Sequence, residues 1–73
     1  MKFVPERLEV AAGDTVVWTN HDVVPHTVTA SQAKVESGEI APNNTFRFVA
    51  RRKGEMPYLC RLHPVMKGLL VVK

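Results

Sequence analysis

Cross-links are the first thing this chain of 73 residues lacks, because it holds a single cysteine, Cys60, and one thiol cannot close an internal disulfide. Cys60 is left with three readings, as a metal ligand, a nucleophile or a buried apolar residue. Long apolar runs are missing too. The best candidate, Leu69 to Val72, falls far short of the roughly 20 residues a membrane helix needs, and the N-terminus shows neither the basic start nor the apolar stretch of a signal peptide. No membrane association and no visible export signal are therefore expected. Aromatic residues make up 7% of the chain, and Phe46, Phe48 and Tyr58 sit at strand-like spacing rather than being interleaved with the basic residues as a nucleic-acid surface would have them. Nucleic acid is not an expected partner. Helical periodicity is lacking as well, since apolar residues recur at a period of two and Pro and Gly punctuate the chain every ten residues or so, which argues for short strands.

What is present is the composition of a folded protein, 45% hydrophobic and 23% charged, in a length that suits one domain spanning residues 1–73. A domain of this size buries only about 60% of the surface its unfolded chain exposes, so a bound metal or a partner would add materially to its stability. The net charge of +3 is uneven: residues 1–46 hold three basic and six acidic side chains, and residues 47–73 hold seven basic and one acidic.

The alternation predicts an all-β fold of six to seven short strands packed as two sheets. Leu8 and Val10 alternate with Arg7 and Glu9, and Ala11-Ala12-Gly13-Asp14 then turns the chain into Thr15–Asn20, so the first half is expected to open as a hairpin-like unit. His26 to Thr29 forms the next β-branched run, residues 31–43 read as a long loop, and Thr45 to Ala50 resumes the alternation with Phe46 and Phe48 on one face. The basic turn Arg51-Arg52-Lys53-Gly54 leads into Met56–Cys60, and after a loop carrying Pro64 the strand Gly68–Val72 closes the chain.

Chemistry concentrates in Cys60-Arg61-Leu62-His63-Pro64-Val65-Met66, where a thiol, an imidazole and a thioether recur at every third residue. A copper ion that cycles between two oxidation states is held by one thiolate and two imidazoles, with a distant Met sulfur on the axis. This stretch offers three of those four donors, and His26, at a strand start behind Pro25 with its fixed dihedral, offers the fourth. Each residue has a plainer reading: Cys60 and Met66 as core, His63 as a surface residue. The ordered set favours ligands. His21 reads as a solvated loop residue. A hydrolase is disfavoured because no Asn or Asp is placed to orient His63 and Met66 would go unexplained. Three histidines in all leave none for the further clusters of copper enzymes. A copper carrier or a zinc-binding structural module using the same donors stays open as an alternative.

These residues resemble the cupredoxins, and among them most closely the amicyanins, with plastocyanins and pseudoazurins also similar. The resemblance rests on Gly13-Asp14-Thr15-Val16, Trp18-Thr19-Asn20, Pro25-His26-Thr27-Val28, Tyr58 two residues before Cys60, Gly54 six before it, and the short Cys60–His63–Met66 spacing. It implies a Greek-key β-sandwich lacking the family's usual N-terminal strand, and hence an open sheet edge and either a monomer or an edge-strand dimer. It implies one mononuclear copper ion on His26, Cys60, His63 and Met66, and single-electron transfer between redox partner proteins rather than catalysis. It further implies a role for Asn20 in tying the two ligand loops together, with Pro25 beside His26. Docking is expected around Pro64 and Val65, with Arg61 and Lys67 steering an acidic partner. A periplasmic or otherwise exported location, with a quinoprotein dehydrogenase as donor and a c-type cytochrome as acceptor, is the corresponding expectation.

Overall fold

The computed structural model describes residues 2–73. Its seven strands are β1 (Arg7–Val10), β2 (Thr15–Thr19), β3 (Thr29–Ala30), β4 (Val35–Glu36), β5 (Thr45–Val49), β6 (Gly54–Cys60) and β7 (His63–Val72). They form a five-stranded sheet in the order β1-β7-β6-β3-β4 and a two-stranded sheet of β2 and β5. The core lies between the sheets and is built from alternate residues, Met56, Tyr58 and Cys60 from β6 with Met66, Leu70 and Val72 from β7, facing Val16 on β2 and backed by Val28, Ala30 and Ile40. Phe46 and Phe48 pack against it from β5 while Arg47 faces water, as period two requires.

The first two strands do not pair as the alternation suggested. β1 runs parallel to β7, Leu8 beside Leu70 and Val10 beside Val72, whereas β2 pairs antiparallel with β5 in the other sheet. The turn between them is a sheet-to-sheet crossing. Gly13 takes a φ of 99°, a region in which a side chain is unfavourable. The Asp14 carboxylate accepts the Ala11 N–H at 2.9 Å, and Gly13 and Ala50 clamp the crossing onto the end of β5. On β1, Leu8 and Val10 pack against the core, partly buried.

Three further differences follow from tertiary pairing. The run from His26 to Thr29 is a strand only from Thr29; His26 instead exchanges two backbone hydrogen bonds with Ile40, at 3.2 and 2.7 Å. The loop over residues 31–43 contains β4, paired with β3. The final strand begins at His63 rather than at Gly68, so Pro64 lies within it. Among the described residues the outer edges of β2 and β5 carry no strand, which leaves the smaller sheet open at both sides.

Candidate metal centre

β6 and β7 bring the sulfur donors to one end of the sandwich. Leu59 pairs with Lys67, but Cys60 pairs with His63, so Pro64, Val65 and Met66 are extra residues on β7 and form a bulge. A bulge re-aims side chains that regular pairing would alternate. Here it keeps both Cys60 and Met66 buried, at 0% and 5% exposure, while His63 sits beside them half-buried and Val65 stands almost fully exposed.

His26 arrives from the other side. Its ring is buried, with Nδ1 at 3.6 Å from Cys60 Sγ and Nε2 at 2.7 Å from a carboxylate oxygen of Asp22. The His63 ring lies 5.4 Å from the His26 ring, centroid to centroid, tilted by 57°. Among the described residues, no three His, Cys, Asp or Glu side chains are drawn into a closed cluster. The His26–Cys60 pair is assembled, His63 is its neighbour in the hairpin, and the thioether of Met66 is a donor of another type.

Electrostatics at the pair suit a metal. Burial pushes the Cys60 thiol up, but the Thr27 N–H, the His26 ring and the backbone N–H groups of Leu62 and His63 outweigh it and leave the thiol below its ordinary range. Burial likewise opposes a charged His26, yet the Cys60 sulfur and the Asp22 carboxylate prevail and raise its pKa. A buried thiol whose ionised form is favoured, 3.6 Å from a ring nitrogen, is a place that a soft metal ion can take. The donor set of one thiolate, two imidazoles and a thioether fits copper.

Two supporting residues escaped sequence reasoning. Thr27, directly after His26, donates its N–H to Cys60 Sγ at 3.3 Å and accepts the Arg61 N–H on its hydroxyl at 3.0 Å, so it joins the two ligand-bearing segments. That role was expected of Asn20. Asn20 is buried, but its amide donates to the carbonyls of Val24 and Ile40, both at 2.8 Å, and its oxygen accepts the Asp22 N–H at 2.8 Å. It shapes the loop before His26 and does not reach Cys60's segment, because it sits at the start of that loop rather than beside the ligand. Asp22 is the second omission; its signal was a carboxylate four residues before His26.

The other expected positions fall as follows. Pro25 precedes His26, and Pro64 and Val65 are exposed beside His63. Lys67 is exposed and makes no ion pair among the described residues. Arg61 is not free: its Nε donates to Glu36 at 3.1 Å.

A two-sheet all-β sandwich with Cys60, His26, His63 and Met66 gathered at one end has the architecture of a cupredoxin. The chain belongs to that family, since the model of the cupredoxin-like domain matches residues 1–72. It is 33% identical to amicyanin-alpha of Methylorubrum extorquens, over all of this chain and 66% of that protein, and 30% identical to the amicyanin of Paracoccus denitrificans, over all of this chain and 60% of that one. It therefore spans 60 to 66% of the length of these relatives. Among solved structures, a purple cupredoxin from Nitrosopumilus maritimus superposes with a TM-score of 0.90 at 32% identity, covering 99% of this chain and 82% of that one. A copper(I) form of an amicyanin variant superposes at 0.95 and 28% identity, covering 100% and 74%.

Proposed function

We propose that the chain is a one-electron carrier with a single mononuclear copper site held by Cys60, His26, His63 and Met66. The observation that carries this reading is the buried pair of His26 Nδ1 and Cys60 Sγ at 3.6 Å, with the His63 ring alongside. Copper, when bound, supplies the one-electron couple. The residues do the rest: Cys60 offers a thiol whose ionisation its surroundings favour, His26 is fixed on a closed loop, Met66 closes the core side, and His63 forms the passage to solvent. Its flanks Leu62, Pro64 and Val65 are exposed, as is Val23 in the loop before His26. Pro64 and Val65 make the apolar docking surface, with Lys67 as the steering charge. By resemblance to the amicyanins we place the chain, as part of the same proposal, in a periplasmic setting, with a quinoprotein dehydrogenase as donor and a c-type cytochrome as acceptor.

The test is the addition of copper(II) to metal-free protein. An intense visible thiolate-to-copper band is expected, absent in Cys60→Ser and retained in Met66→Gln, whose potential should fall because an amide oxygen is a harder donor that favours copper(II). Preference for zinc with no coloured copper complex would replace this reading with a structural metal module.

A further inference from the structure

His26 meets a side-chain partner at each of its two ring nitrogens. Cys60 Sγ faces Nδ1 at 3.6 Å, and Asp22 Oδ2 faces Nε2 at 2.7 Å. An ionised carboxylate only accepts hydrogen bonds, so the short contact places a hydrogen on Nε2, and in the neutral ring Nδ1 is then the free nitrogen facing the sulfur. The Asp22 backbone is itself held: its N–H donates to Asn20 Oδ1 at 2.8 Å, and the Asn20 amide is anchored on the carbonyls of Val24 and Ile40. His26 is 7% exposed at its side chain and Asp22 is 46% exposed, so the anchor grips the ring from the solvent side while the donor nitrogen stays inside.

We propose that Asp22 is a positioning residue of the metal centre, fixing His26 in the Nε2–H tautomer and in the rotamer that aims Nδ1 at Cys60 and at the copper. The proposal rests on the copper reading above. Without the carboxylate no side chain among the described residues accepts from Nε2, and the hydrogen is free to move to Nδ1, the nitrogen that a metal needs. A hydrogen-bonded carboxylate also makes the imidazole a stronger donor. Asp22 thus acts both on the preparation of the metal-free site and on the grip of the loaded one.

Two readouts test this, one of them without metal. In metal-free protein at mildly alkaline pH, long-range nitrogen–proton NMR correlations of the His26 ring should report the Nε2–H tautomer in the wild type and a shift toward Nδ1–H in Asp22→Ala. Competition with a copper(I) chelator should show affinity falling about 10- to 100-fold in Asp22→Ala. Asp22→Asn, whose Oδ1 can accept the same bond, should keep the tautomer and stay within several-fold of wild type, and its small change guards against misreading a folding defect. Wild-type affinity in Asp22→Ala, or weakened affinity with an unchanged tautomer, would overturn the proposal. A wild type that binds no copper would instead sink the electron-carrier reading, and the tautomer measurement would still decide the part played by Asp22.

Discussion

At the residue scale, Thr27 and Glu36 show how much of the site depends on groups that never touch a metal. The Thr29 hydroxyl donates to Glu36 Oε1 at 2.9 Å, so its oxygen must accept from the Thr27 hydroxyl at 2.9 Å, and Thr27 in turn accepts the Arg61 N–H. The Arg61 side chain closes the ring by donating to the same Glu36 oxygen. Glu36 is therefore an ionised acceptor by construction. The Gly38 N–H at 2.7 Å lowers its pKa most, the Thr29 hydroxyl and Arg61 add to this, and partial desolvation opposes them. A carboxylate with a folded pKa below its unfolded value of about 4.3 stabilises the fold above that value and loses the contribution as pH falls through the folded one. Glu36→Gln should thus cost stability at neutral pH, by less than about 1 kcal/mol because the group is half exposed and solvent-screened. The difference from wild type should vanish well below the carboxylate range, as urea unfolding midpoints at the two pH values would show. A gap that persisted unchanged in acid would mean that the Glu36 charge contributes nothing.

At the scale of elements, the β6–β7 pair does most of the positioning, and its tightest point is Gly68. Gly68 stands opposite Tyr58 in the register, and a Cβ there would fall on the phenol end of the Tyr58 ring. That ring has little freedom to give way, being buried and held edge-on by Phe3 at 4.8 Å and Trp18 at 5.4 Å. Gly68→Ala is expected to cost about 1–3 kcal/mol through overpacking, and the combination with Tyr58→Leu should cost less than the sum of the two. Additive costs in thermal or urea unfolding would show that the ring swings aside freely. The same hairpin explains what could be read before folding. Met56, Tyr58 and Cys60 alternate within one strand, and Cys60, His63 and Met66 lie within seven residues, so the strand and the candidate donor set were visible as local patterns. The parallel pairing of β1 with β7 was not, because Leu8 and Val10 would look the same in a hairpin with β2. Thr27 was hidden, because in sequence it is one more β-branched residue and only the approach of the Cys60 segment gives it a partner; Asp22 offered no more than its spacing of four from His26.

On the scale of the whole molecule the two ends differ in charge and in job. The fold is elongated, 33 Å by 21 and 20 Å, and β6 runs from the basic turn at Gly54 to the candidate metal centre at Cys60, roughly 20 Å at about 3.3 Å per residue. Arg51, Arg52 and Lys53 therefore lie at the far pole from His63. A charge that far from the contact is separated by more than two Debye lengths, each about 8 Å at physiological ionic strength. Nearer the docking surface, the charge of Arg61 is compensated by Glu36, so Lys67 is the cation left to steer an acidic partner. Lys67→Glu should slow association with such a redox partner by roughly two- to tenfold at low ionic strength, the effect shrinking as salt is added. Arg52→Glu should change the rate little at physiological salt, and Arg61→Glu should fall between them, since it also sets two acidic side chains against each other. Stopped-flow measurement of the second-order rate constant across a salt series separates these cases. A larger loss for Arg52→Glu than for Lys67→Glu would mean that the partner docks at the basic turn, and electron entry through the exposed edge of His63 would have to be abandoned.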